Sequence, residues 1–120
     1  MKIVLTSTGE TLDSLMDERF GRAKKLLLFD TDSGQHQVVD NTQNLNAAQG
    51  AGIQTAQNVS QLGAQYVITG HCGPKAFRTL QAAGINVIIG AKGKVSEVIE
   101  KFKAGELSPS VSADVEGHWA

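Results

Sequence analysis

With one cysteine in 120 residues, the chain closes no internal disulfide. A single thiol also excludes a four-cysteine zinc site and an iron–sulfur cluster held by four protein thiolates. An excess of one charge is missing too: 11 Lys and Arg stand against 12 Asp and Glu, a net charge of −1. That balance points to no nucleic-acid or membrane surface. Aromatic residues make up 5%, so Ala, Val, Ile and Leu must fill the core. No apolar run approaches the roughly 20 residues of a membrane span. The N-terminus shows no signal-peptide pattern, and the expected location is cytoplasmic.

Several catalytic signatures are also lacking. There is no G-x-S-x-G elbow and no G-x-x-x-x-G-K-[ST] loop. Gly50-Ala51-Gly52 opens a helical segment, but Thr55 stands where a dinucleotide fingerprint has its third glycine. Two-metal phosphoryl chemistry needs clustered carboxylates, and the first strand supplies none. Asp13, Asp17 and Glu18 share one long loop and read as solvated charges.

What is present is an α/β pattern. Lys2–Thr6, Lys24–Asp30 and His36–Asp40 read as strands, with Asp32-Ser33-Gly34 as the turn of a hairpin. A helix is predicted from about Ala48 to Leu62, ended by Gly63. Strand Gln65–Thr69, a helix carrying Ala76, Phe77, Leu80 and Ala83, strand Ile85–Ile89 and a last helix carrying Val95, Val98, Ile99 and Phe102 follow. A hairpin followed by βα alternation gives a five-stranded mixed sheet, order 3-2-1-4-5, with strand 2 antiparallel. Residues 1–107 form one domain and 108–120 a C-terminal tail. In this topology Ser7–Ala23, Asn41–Gly50, Gly70–Lys75 and Gly90–Lys94 all fall at one end of the sheet, where ligand sites collect.

The densest chemistry on that rim is Gly70-His71-Cys72-Gly73-Pro74-Lys75, a strand-to-helix turn. Glycines admit a ligand close to the backbone. Pro74 suits a first helical position. Helix starts after Gly73 and Gly93 favour an anion, with Arg22, Lys75, Arg78, Lys92 and Lys94 nearby in sequence. His71 and Cys72 are candidate metal ligands, and Met16 a candidate thioether. Three ligands do not close a protein-only site, but they suit a cluster that brings its own sulfide. A Cys at a helix start also has the lowered thiol pKa of a redox residue.

The motifs Arg19-Phe20-Gly21-Arg22-Ala23, Val39-Asp40-Asn41, Gly50-Ala51-Gly52, Tyr66-Val67-Ile68-Thr69-Gly70-His71-Cys72-Gly73-Pro74-Lys75-Ala76, Gly84-Ile85-Asn86-Val87 and Lys103-Ala104-Gly105-Glu106-Leu107 stand in fixed order. In that order and spacing the chain resembles the dinitrogenase iron–molybdenum cofactor biosynthesis family, over roughly residues 1–107. It is most similar to the orange-protein branch. The resemblance implies a three-layer α/β/α sandwich, ribonuclease H-like but without nuclease carboxylates. It implies a non-enzymatic protein that holds a thiomolybdate-type molybdenum–copper sulfide cluster without covalent attachment. A P-loop ATPase is the implied protein partner.

Under that resemblance the backbone of Gly70, His71, Cys72 and Gly73 and the charge of Arg22 neutralise the cluster. Met16 and Phe20 shield it, while Gly21, Asn41 and Pro74 shape the loops. Many members carry an apolar residue at the position of Cys72, so no ligand role transfers to it. Two other readings stand beside this one. One is a thiol redox protein using Cys72. The other is an interaction module for an ATPase or nitrogenase-type assembly.

Overall fold

The computed structural model describes residues 1–41 and 51–110. Strand β1 (Lys2–Ser7) runs through the middle of the sheet, and every residue after Lys2 in it is buried. That accounts for a sequence without apolar–polar alternation, because both faces are covered. Strands β2 (Lys25–Asp30) and β3 (His36–Asp40) form the antiparallel hairpin. Its turn closes with Gly34 N donating to Asp30 O at 2.8 Å. Strands β4 (Tyr66–Ile68) and β5 (Asn86–Ile88) lie parallel to β1 and to each other. The order β3-β2-β1-β4-β5 agrees with the expectation. Strands β4 and β5 are shorter than the apolar runs suggest. Thr69 N still donates to Ile88 O at 2.9 Å, but there the chain bends into the rim loops.

Helices α1 (Ala51–Ser60), α2 (Pro74–Ala82) and α3 (Val95–Lys103) complete three layers. The predicted start of α1 at Ala48 lies outside the described residues. Alternate strand residues sort the core in two. Val4, Leu26, Leu28, Val67 and Val87 face α1 and α2, meeting Ala56, Val59, Phe77 and Leu80. Ile3, Leu5, Leu27, Phe29, Ile68 and Ile88 face α3, meeting Val95, Val98 and Ile99. Each fully buried side chain of this size stabilises the fold by about 1.5–3 kcal/mol. Among the described residues no helix is long and apolar enough to cross a membrane.

After α3, Leu107 packs on the α3-side core, and Ser110 N donates to Val87 O at 2.7 Å on the outer edge of β5. The rest of the predicted tail, from 111 onward, lies outside the described residues. At one end of the sheet β1, β3, β4 and β5 all terminate and β2 begins. The long loop between β1 and β2 crosses that end.

Candidate functional site

The β1–β2 loop is a strap that ties the rim together through its backbone. Met16 N donates to Gly93 O at 2.8 Å, and Val95 N donates to Ser14 O at 2.9 Å, clipping the strap to the start of α3. Asp17 N donates to Thr6 O at 2.9 Å, at the end of β1. His71 N donates to Glu18 O at 2.7 Å, and Phe20 N returns to His71 O at 3.1 Å. This last pair is a short parallel bridge between Arg19 and His71. It holds the strap against the Gly70–Gly73 turn. Only a glycine fits beside it: a Cβ on residue 70 would lie 2.7 Å from Glu18 O.

Past Glu18 the strap becomes a tight loop carrying Arg22. Phe20, fully buried, anchors it in the α1–α2 core. Asn41 Nδ2 donates to Ala23 O at 2.9 Å. Thr55 Oγ1 donates to Asn41 Oδ1 at 3.2 Å and lies 3.4 Å from Gly21 O. Both Asn41 and Thr55 are buried, where such bonds are costly to leave unmade. Arg22 itself is half-buried. Below the loop, Thr6 Oγ1 donates to Asp17 O at 2.7 Å and stands 2.9 Å from Thr69 Oγ1, joining the ends of β1 and β4.

The two helix starts on the rim differ. Lys94 N donates to Glu97 Oε1 at 3.3 Å, so a carboxylate occupies the positive end of α3. The N-cap of α2 is Gly73, in extended backbone, and no side chain among the described residues caps it. Pro74 has no N–H, so Lys75 and Ala76 supply the first-turn donors. The anion-attracting end is therefore that of α2, beside the Gly70–Gly73 turn. Lys75 and Arg78 are exposed on its first two turns, and Lys24, Lys92 and Lys94 are exposed on neighbouring loops.

The structure brings Gly70, His71, Cys72, Gly73 and Pro74 together with Phe20, Gly21, Arg22 and Asn41, all on the α1–α2 side or at its rim. Met16 does not join them. It is buried in the α3-side core, on the other face of the sheet from Phe20 and Cys72. A strap residue two positions from Ser14 is drawn under α3 because the strap is bonded there. The candidate thioether of Met16 is therefore separated by the sheet from the candidate thiol of Cys72. Cys72 has no exposed surface and sits among Phe20, Ala76 and Phe77 in the apolar core. Its thiol lies beneath the turn rather than on it, and Sγ is 3.7 Å from Gly73 O. Among the described residues no three His, Cys, Asp or Glu side chains gather as a metal site.

Sequence reading missed Thr6, Asp17, Thr55 and Thr69. Asp17 is more than a solvated loop charge: its carboxylate also accepts from Arg19 N at 3.2 Å and Lys24 N at 3.3 Å. A signal for it existed, since Asp followed two residues later by a turn is an Asx-turn pattern. Thr6 and Thr69 could be found only from the register that pairs the ends of β1 and β4.

A sequence profile described as "Dinitrogenase iron-molybdenum cofactor" matches residues 1–105. The apo form of the orange protein from Desulfovibrio gigas superposes with a TM-score of 0.93 at 36% identity, over 95% of this chain and 96% of that one. The NMR structure of a NifB-like protein from Thermotoga gives 0.83 at 35% identity, over 97% and 98%. An uncharacterized protein of Methanocaldococcus jannaschii is 25% identical over 111 residues, 89% of this chain and 93% of that one. A family profile that matches residues 1–105, together with relatives of known structure at 35% and 36% identity over nearly the whole chain, makes this protein a member of the dinitrogenase iron–molybdenum cofactor family.

Proposed function

We propose that the protein binds and carries a polyanionic molybdenum-containing metal–sulfide cluster, without covalent attachment and without catalysing its conversion. The observation that carries this reading is the pairing of two elements. One is the N-terminus of α2 after Gly73, which no side chain among the described residues caps. The other is the Arg22 loop held against it by the Phe20–His71 and Glu18–His71 bonds. Backbone N–H groups, a helix dipole and a guanidinium together hold a multiply charged anion by charge-assisted hydrogen bonds. Such bonds need no protein ligand on the metal, which agrees with Cys72 lying under the turn. Likeness to the orange protein supports a molybdenum–copper sulfide as the cargo.

Asn41, Gly21 and Pro74 shape the loops of this seat. Phe20 supports it from inside the core, and Met16 supports the strap from the other face of the sheet. His71 contributes its half-buried imidazole at the rim. Burial of the single thiol supports the carrier reading over a thiol redox enzyme. A P-loop ATPase is the partner that the family resemblance supplies.

The test is an anaerobic titration of metal-free protein with tetrathiomolybdate, with and without Cu(I), followed by gel filtration. Molybdenum, copper and visible colour are expected to co-elute with the protein at fixed stoichiometry. Arg22→Ala is expected to retain about tenfold less cluster at equal concentration, the factor that one lost charge-assisted bond represents. Colourless protein, with the metals in the salt fraction, overturns the reading.

A further inference from the structure

We propose that Asp17 is a positioning residue of the rim: its carboxylate fixes the Arg22 loop in the geometry that binds the anion. The inference rests on the carrier reading and deepens it. A carboxylate beside an anion seat is unfavourable by charge alone, so its presence needs a reason. The reason lies in where its two oxygens point. Oδ1 accepts from Arg19 N at 3.2 Å, and Oδ2 accepts from Lys24 N at 3.3 Å. These amides stand at the two ends of the segment that holds Phe20, Gly21, Arg22 and Ala23. One side chain thus staples both ends of the loop and turns its own negative charge onto the backbone.

The staple is itself anchored. Asp17 N donates to Thr6 O at 2.9 Å, and Asp17 O accepts from Thr6 Oγ1 at 2.7 Å. Thr6 Oγ1 is 2.9 Å from Thr69 Oγ1, at the base of the Gly70–Gly73 turn. A chain of bonds therefore runs from that turn through Thr69, Thr6 and Asp17 to both ends of the Arg22 loop. The peptide of Lys24 is held on its other side as well, because Asn41 N donates to Lys24 O at 3.2 Å. Loop and turn cannot drift apart without breaking this chain. A loop whose backbone is held in place before binding loses less entropy when its guanidinium meets the anion.

Asp17→Asn is a near-isosteric probe. An asparagine oxygen can still accept from the Arg19 amide, but its NH₂ group would face the Lys24 amide, donor against donor. The substitution frees one end of the loop and leaves the fold's core untouched.

The experiment is a double-substitution cycle on the full chain, with tetrathiomolybdate plus Cu(I) as the probe. It compares wild type, Asp17→Asn, Arg22→Ala and the double variant. Asp17→Asn is expected to weaken retention about tenfold in the wild-type background and less than about twofold in the Arg22→Ala background. Thermal midpoints of the same four proteins are expected to be additive, which separates positioning from plain stability. In metal-free protein the Arg19 and Lys24 amide resonances are expected to shift in Asp17→Asn. Equal weakening in both backgrounds overturns the proposal, as does full retention by Asp17→Asn or an unmoved pair of amides. If wild type itself retains no cluster, the carrier reading falls and this proposal falls with it. Retention by wild type and Asp17→Asn alike removes this proposal alone.

Discussion

Glu18 and His71 meet backbone to backbone: the His71 amide donates to the Glu18 carbonyl at 2.7 Å, one bond of a parallel bridge between the strap and the α2 turn. The bridge brings two rim loops into register although 53 positions separate the bonded residues in sequence, from 18 to 71. It forms because residue 70 has no side chain. A Cβ there would stand 2.7 Å from Glu18 O and 2.8 Å from Glu18 Cα, and backbone has little room to retreat.

Gly70→Ala is therefore expected to destabilise the protein by about 1–3 kcal/mol, the usual cost of forced overpacking. For a domain of this size each kcal/mol lowers the midpoint by roughly 4–8 °C. Thermal unfolding gives the stability, and hydrogen exchange at the His71 amide gives the local effect. A midpoint within a degree of wild type, with the His71 amide still protected, would show that the strap does not close on the turn in this way.

Cys72 yields the second prediction. With its thiol wholly inside the α1–α2 core, iodoacetamide is expected to modify the native protein far more slowly than the unfolded chain. Cys72→Ser is expected to cost about 1–3 kcal/mol, since it places a hydroxyl in an apolar setting. Binding of thiomolybdate by the folded variant should be unchanged. Loss of the visible chromophore in a Cys72→Ser protein of native fold would make the thiolate a ligand after all.

A third prediction concerns acid. Asp32 N donates to Asp30 Oδ1 at 2.9 Å in the hairpin turn. This bond, more than any other cause, holds the Asp30 carboxyl below its ordinary 3.8; partial burial opposes it, while the Ser33 amide, the N-terminal ammonium and Lys2 assist. A depressed folded pKa stabilises the protein above the unfolded value and loses that contribution as pH falls through the folded one. The loss lies below pH 3.8. Stability of Asp30→Asn is expected to decline less than that of wild type across that interval. Parallel acid limbs for the two proteins, or an NMR titration of Asp30 at the ordinary value, would refute it.

Much of the architecture was legible because the apolar runs were long and their turns explicit. KLLLFD, Asp32-Ser33-Gly34 and HQVVD specify a hairpin, and the later βα alternation specifies parallel strands; together these leave one strand order. The rim was legible as a place for the same reason. Which side chains meet there was not. Met16 and Phe20 lie four residues apart on one loop, yet the sheet separates them, because backbone bonds to Gly93 and to His71 pull the strap to opposite faces. Cys72 read as a candidate ligand or redox thiol at a helix start. The turn instead presents its backbone and directs the side chain inward. Asp17 looked like a free charge because its partners are amides, which no side-chain pattern records.

Asn41 is the fourth test, and it addresses the loop from its far side. Its side chain is 1% exposed. It donates from Nδ2 to Ala23 O and accepts at Oδ1 from Thr55 Oγ1, so each end of the amide is matched to its partner. Asn41→Ala removes both bonds and is expected to cost about 1–3 kcal/mol. Asn41→Asp keeps the shape and the Thr55 acceptor but turns an oxygen toward the Ala23 carbonyl. An ionised carboxylate is disfavoured there by that carbonyl and by burial, whereas a protonated one can donate to it. Its folded pKa is thus raised, so the variant is most stable below the unfolded value and loses stability as pH rises through the folded one. Asn41→Asp is therefore expected to approach wild-type stability at low pH and fall toward Asn41→Ala at neutral pH. Denaturant midpoints of the three proteins across that range decide the matter. A constant gap between Asn41→Asp and wild type at every pH would mean that the amide does not bridge Ala23 and Thr55, and the Arg22 loop would lose one of its side-chain supports.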